Sequence, residues 1–403
     1  MDTPAGHGSQ RIRSDGEPRA TPREMMDRAS KLVPILRERS AECEDLRRVP
    51  ESTVSAFRAA EIHRIAQPPA YGGLGLDMDT VYEVAAELAR GCGSSGWMGS
   101  FWPLHNWMIG MWPVKAQQEY WADSHDVLSS TASAAVNCTV ESASGGVRIS
   151  GRWNFASGID HAQWVQLIVM KGEAGADLMM VPKADYRIDD NWLVAGLRGS
   201  GSKAVVLDNV FVPDYRIVPG SQFMTGTTAG RYLYRSTFYR VPLFSFLGYS
   251  LAAPIIGMGQ GVVDLFEQQM RGRVDVQTGM RAIDQSSMQI RLAEASAEID
   301  AVRLLMLRDL RDIREYGAAK EELPLAARAR MRRDIAFAVR TCVRAANQLY
   351  EAAGAHAIYD GSAIQRMVRD INAASHSIAV TWDVPAENYG RIRWGLPPNT
   401  WQL

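Results

Sequence analysis

Residues 196–213 read GLRGSGSKAVVLDNVFVP, and the order of glycines and strand in this stretch decides what kind of fold the chain can have. In a dinucleotide-binding fold a strand comes first, the glycines follow, and a helix opens behind them so that its N-terminus meets the pyrophosphate. Here the glycines run directly into KAVVLDNVFVP, a stretch rich in β-branched residues and closed by Pro213, which reads as a strand. The other glycine-rich run, GMGQG at 257–261, lies in a helical context. The chain therefore carries no evident nicotinamide domain of its own.

Working outward, further strand-like runs stand at 126–136 (DVLSSTASAAV), 145–157, 163–170 and 176–182, separated by Gly, Asp and Pro. They define a central β domain over 126–225. Before it, 21–125 is helical: TPRE, from Thr21, combines a cap, a proline at the first helical position and a returning Glu24. That helix is expected to run into the late thirties or forties. Others are expected from Pro50 to about Ile62, from Thr80 to Arg90, and through the Trp-rich segment to Trp121. After residue 226 the strands stop. Stretches 283–317 and 323–353 place apolar residues three and four apart, as in packed antiparallel helices. The fold class is α+β: an N-terminal helical domain, a central β domain and, over 226–403, a C-terminal four-helix bundle. Residues 1–20 are polar and rich in Gly and Pro, and are expected to be a disordered tail.

The charge balance, 44 basic against 45 acidic residues, argues against a nucleic-acid or anionic-membrane partner. Four cysteines without a C-x-x-C pair point to reduced thiols in a cytoplasmic protein rather than to zinc or a disulfide framework; no metal motif is present. The most apolar stretches, 101–114 and 249–263, are shorter than the ~20 residues a bilayer demands, and both contain proline. A soluble protein is expected.

Candidate chemistry gathers at 151–164, GRWNFASGIDHAQW. Ser157 reads either as a turn serine bonding its own backbone or as a ligand contact. Asp160 reads as a turn cap or a site residue, and His161 as a packed or a functional histidine. The segment 96–112 carries four Trp, one Phe and His105, and can form an aromatic pocket wall or simply core; Trp97, Trp102 and His105 are the substrate-pocket candidates. Arg240, in FYRVPLF, is a further candidate for contact with a substrate. His7, His63, His125 and His356 are assigned to surface or structural places.

Three stretches in order resemble the acyl-CoA dehydrogenase superfamily across nearly the whole chain: RWNFASG at 152–158, the 196–213 segment, and NQLYEAAGAHAIYDGSAIQRMVRD at 347–370. In that family the first segment lies beside the flavin N5, and Ser157 takes the place of its threonine. The resemblance implies flavin contacts for Trp153, Phe155, Ser157, Gly158, Arg198, Gln348 and Gly354. The departures are informative. The family's carboxylate base, expected some eight residues beyond Arg369 and Asp370, is missing; Ile378 stands near that place and His376 two before it. A family glycine is also lost in GAHA at 354–357. With FASGIDH at 155–161, these features resemble the oxygenase components of two-component flavin-dependent monooxygenases, such as the p-hydroxyphenylacetate and steroid-ring hydroxylases.

That resemblance implies hydroxylation of an aromatic, phenolic substrate by O2 through a C4a-hydroperoxyflavin. The reduced flavin, FMNH2 or FADH2, would come from a separate NAD(P)H:flavin reductase, with Ser157 at the flavin and His376 as the catalytic base. It also implies a homotetramer or homodimer. The competing readings are an acyl-CoA dehydrogenase-type flavoprotein, which the missing carboxylate disfavours, and a non-catalytic helical scaffold of the same fold.

Overall fold

A computed structural model of the chain describes residues 18–171, 175–276 and 278–400. The tail expected over 1–20 lies, for residues 1–17, outside them.

The Thr21 cap forms as read. Its hydroxyl accepts from the Glu24 amide while the Glu24 carboxylate accepts from the Thr21 amide, opening α1 (Pro22–Glu38). The expected single helix breaks at Arg39, and α2 (Ser40–Leu46) continues from there. Next come α3 (Glu51–Ala59), α4 (Met78–Ala89), α5 (Gly93–Ile109) and α6 (Val114–Tyr120). Helix α4 starts earlier than expected, with Asp77 at its N-cap. Nearly every residue of α5 is buried. Gly96 and Gly99 let it lie so close to α4 that a Cβ at Gly96 would fall 2.4 Å from Ala89 Cα.

The β unit is built of β1 (Ser129–Ala132), β2 (Ala134–Ala143), β3 (Gly146–Ala156), β4 (Trp164–Met170), β5 (Ala176–Pro182), β6 (Arg187–Asp189), β7 (Lys203–Pro213) and β8 (Ile217–Val218). They form two four-stranded sheets, ordered β1-β4-β5-β8 and β2-β3-β7-β6. The run 126–136, read as one strand, therefore divides at Ser133 and serves both sheets. β1 pairs parallel with β4, whereas β3 pairs antiparallel with β2 and β7. Ile149, Trp153, Val165, Leu167, Val181, Val205 and Leu207 are among the buried residues of the core between the sheets.

Three short helices, α7 (Gly220–Thr225), α8 (Gly230–Leu233) and α9 (Phe244–Leu247), lead into α10 (Tyr249–Gly272), α11 (Ser286–Ala319), α12 (Leu325–Ala353), α13 (Ala363–Ser375) and α14 (Asp383–Arg393). Helices α10 to α13 pack as the four-helix bundle, with α14 laid on α12. Pro254 is accommodated inside α10, so the helix outruns the apolar stretch read at 249–263. The segment Phe244–Gly272 is long and apolar enough to cross a membrane, yet 83% of its most apolar window is buried inside the protein, as expected of a core helix. Buried charge holds the bundle centre: Arg308 and Arg330 contact Asp309 on α11, Arg308 also reaches Asp334 on α12, and the Tyr249 hydroxyl donates to Asp309 at 3.1 Å.

Candidate active site

Two turns and one helix face meet beneath the end of β3. The strand pairing slips by one residue between Trp153 and Ala156, a bulge in which Phe155 takes a left-handed φ of 64°. This conformation is costly for a residue with a Cβ, by ~1 kcal/mol or more. It turns Phe155 outward, 59% exposed and edge-on to Trp192 at 6.1 Å, and turns the following Ser157 inward. Gly158, at φ 70°, completes the reversal; a Cβ there would sit 2.4 Å from Met98 Cε and 2.9 Å from Trp102 Nε1.

The second turn, 196–202, lies against the first. Leu197 is also left-handed, at φ 54°, and its amide donates to the buried Asp370 carboxylate of α13 at 2.6 Å. The Gly158 amide donates to Ser200 O at 2.8 Å. The hydroxyls form a chain: Ser157 to Ser202 at 2.7 Å, and Ser202 to Ser200 at 2.7 Å. The Trp97 indole N–H donates to Ser157 Oγ at 3.3 Å, and Ser130 on β1 donates to Ser157 O at 2.8 Å. Ser157 is thus a buried, two-partner hydroxyl rather than a turn serine bonded to its own backbone.

The aromatic wall comes from α5. Trp97, Phe101 and His105 stand at successive four-residue steps with ring centroids 5.2 and 5.6 Å apart, as the helix repeat requires. His105 Nδ1–H donates to Ser129 O at 2.7 Å, which fixes the tautomer and leaves Nε2 as the acceptor nitrogen. Burial pushes its pKa down to about 4, so the ring is neutral throughout the physiological range. Gln166 on β4 braces the group, donating to His105 O at 3.1 Å and Ser129 Oγ at 3.0 Å.

The other sequence candidates fall elsewhere. Trp153 has no exposed surface; its ring fills the core between the sheets and its N–H donates to Ile168 O, so it packs the β unit instead of facing a ligand. Trp102 packs against Gly158 beside Ser157 and stands edge-on to His161 at 5.9 Å. His161 Nε2–H donates to Val49 O at 2.8 Å, and Asp160 is paired with Lys203 at 2.9 Å; both residues tie the turn to its surroundings. Arg240 donates to Gly317 O at the end of α11, a structural tether. Gln348 is exposed on α12, Gly354 closes that helix, and His376 closes α13, exposed. Within one chain none of these three shares a described contact with Ser157. Ser130, Ser200, Ser202 and Gln166 were missed by sequence reading. Two of them stand inside the 196–213 stretch, but a hydroxyl declares its partner only in three dimensions.

A flavin ring needs an apolar face and hydrogen-bonding partners for its polar edge, and the residues present fit it. Phe155 offers an exposed aromatic face, Ser157 a held hydroxyl, and Arg198 a buried Nε with no partner among the described residues.

Comparison with known proteins gives the family. Residues 19–124 match the acyl-CoA dehydrogenase N-terminal domain and 249–381 the C-terminal domain. The oxygenase subunit HsaA of a flavin-dependent monooxygenase from Rhodococcus jostii is 34% identical, with 92% of this chain and 98% of that protein covered. The chain belongs to the oxygenase subunits of flavin-dependent monooxygenases. Another relative in this family, the oxygenase component of an FADH2-dependent resorcinol hydroxylase from Rhizobium, is 31% identical over 93% of this chain and 95% of its own. The crystal structure of 3-HSA hydroxylase from Rhodococcus sp. RHA1 superposes with a TM-score of 0.89 at 33% identity, covering 94% of this chain and 99% of that one.

Proposed function

We propose that this chain is the oxygenase component of a two-component system that hydroxylates a phenolic aromatic compound, using O2 and reduced flavin delivered by a separate NAD(P)H:flavin reductase. The observation that carries the reading is the buried Ser157 hydroxyl, fixed by Trp97 and the Ser202–Ser200 chain behind the exposed Phe155. Family membership and the lack of a nicotinamide-binding sequence support it.

When bound, reduced flavin with O2 supplies an electrophilic oxygen atom. The protein's contribution is positioning, dryness and proton transfer. Ser157, Arg198 and Phe155 would hold the ring system. The wall of Trp97, Phe101 and His105 keeps water from the reacting atoms and shapes an aromatic pocket. His105, neutral with Nε2 free of a proton, lines the substrate pocket. His376 stands where the superfamily carries its base; it takes the hydroxyl proton and pushes charge to the ortho carbon that is attacked.

His376 and Gln348 lie at the surface of one chain, so the complete site takes a neighbouring subunit. Exposed apolar residues on the bundle side, Leu304 at 68% and Trp394 at 82%, support a homotetramer or homodimer, which a solution mass well above 44.5 kDa would establish. The reduced thiols are consistent with a cytoplasmic enzyme. The test is to supply chemically reduced FMN or FAD with O2 and a panel of phenols to the purified chain: hydroxylated product is expected, and its absence across the panel under conditions where the flavin binds would refute the reading.

A further inference from the structure

Among the described residues seven that are not glycine have a left-handed backbone, and three of them meet at Trp192. Phe155 (φ 64°) lies edge-on to the indole, with 6.1 Å between ring centroids. Leu197 (φ 54°) accepts the indole N–H at its carbonyl, at 3.0 Å. Arg47 (φ 51°), which closes α2, donates to the Trp192 carbonyl at 3.4 Å and pairs with Asp190 at 2.7 Å. A left-handed backbone is costly for a residue with a Cβ; it persists where neighbours hold it, and such residues gather at ligand sites. Ordinary causes account for Asn137 and Asn209, of a residue type that tolerates this conformation, and for Lys320, which closes α11.

Trp192 stands half-buried between β6 and β7, in a loop fixed to both strands that carry the site. The neighbouring Asn191 accepts the Ala204 amide of β7 at 2.9 Å and donates to Asn154 Oδ1 of β3 at 3.3 Å. The two residues that the indole engages belong to different turns. Phe155 comes two positions before Ser157 in the first, and Leu197 directly precedes Arg198 in the second. The Ser157–Ser202–Ser200 chain joins the turns on the buried side. Trp192 joins them again at the exposed Phe155, through its ring to one turn and its N–H to the other. Leu197 is thereby gripped at both polar groups, since its amide donates to Asp370 at 2.6 Å.

We propose that Trp192 is a positioning residue of the site: by holding Phe155 and Leu197 left-handed at once, it fixes the spacing of the two turns and so presents Phe155, Ser157 and Arg198 together. Its effect on flavin binding rests on the reading given above; the tie between the turns does not. Trp192 acts through the two residues it holds and takes no part in the chemistry. An indole suits the place because it combines a broad ring with a single hydrogen-bond donor, and the two functions can be removed separately.

The test compares Trp192→Phe, which keeps a ring against Phe155 but loses the N–H to Leu197, with Trp192→Leu, which loses both, in the full-length chain. Amide hydrogen exchange reads the backbone without any flavin. The Leu197 amide, bonded to Asp370 and not to Trp192, should exchange about tenfold faster or more in both variants. The Gly158 amide, in the turn that follows Phe155, should quicken by about as much in Trp192→Leu and stay at the parent rate in Trp192→Phe. Amides in the middle of α12 should keep the parent rate in both. Anaerobic titration with reduced FMN should show binding weakened about threefold in Trp192→Phe and about tenfold or more in Trp192→Leu. Unaltered exchange at Leu197 and Gly158 in Trp192→Leu, or an equal quickening that includes α12, would overturn the proposal. So would parent-like flavin affinity in Trp192→Leu. If the parent chain itself binds no reduced flavin, the flavin reading fails, and the exchange pattern alone decides whether Trp192 ties the turns.

Discussion

Replacing Ser157 with alanine tests the site at its most connected atom. The hydroxyl has two side-chain partners, and they suffer differently. Ser202 keeps its bond to Ser200, so losing Ser157 costs that pair one net hydrogen bond, ~1 kcal/mol. Trp97 Nε1 has Ser157 as its acceptor, and leaving a buried N–H unpaired costs ~1–2 kcal/mol more. Ser157→Ala should therefore destabilise by about 2–3 kcal/mol, against the ~1 kcal/mol expected of a simple turn serine. Trp97→Phe removes the stranded donor in advance, so in that background Ser157→Ala should cost only ~1 kcal/mol. Guanidinium unfolding followed by tryptophan fluorescence, at one protein concentration, gives all four corners of the cycle. Equal costs in both backgrounds would refute the Trp97–Ser157 link. In turnover with a phenol, the same variant should release more hydrogen peroxide per product formed; an unchanged ratio would remove Ser157 from the flavin.

His376→Ala should bind reduced flavin normally in an anaerobic titration yet hydroxylate ~100-fold more slowly, with peroxide formed instead. His105, held at about 4 by burial, is neutral when folded and takes a proton on unfolding below its usual 6.5. Its contribution is present above pH 6.5 and lost as pH falls towards 4, so the pH-dependent loss of unfolding free energy over that window should be smaller by up to ~3 kcal/mol in His105→Gln. Asp370 runs the other way: burial, with Cys92 beside it, raises it from 3.8 to about 7, so the folded state binds the extra proton and stability falls as pH rises from about 4 to 7. In Asp370→Asn, whose amide oxygen can still accept from Leu197, that decline should be absent, with a melting temperature at pH 8 equal to or above the parent's.

Much of the fold could be read in the chain because its signals are local. The Thr21–Glu24 cap, the glycines entering β7 and the spacing in α11 and α12 each follow from neighbouring residues. The Arg39 break and the division of 126–136 between two sheets could not be read, since tertiary packing decides both. At the site, Ser157 and the stripe Trp97–His105 were legible as residue types at a turn and on a helix face. Trp153, given to the flavin only through the resemblance, packs instead in the core between the sheets, a burial that its residue type does not announce. Asp160 and His161 could be read in sequence as structural or as site residues, and the fold engages them with Lys203 and Val49.

The most direct measurement is a comparison of two reactions of the purified chain in air with one phenolic substrate, the first supplied with NADH alone and the second with chemically reduced FMN or FAD. Hydroxylated product is expected only in the second, with NADH consumed in the first at no more than the rate of a protein-free blank. Sustained NADH oxidation by the isolated chain, or hydroxylation without added reduced flavin, would contradict an oxygenase that depends on a separate reductase.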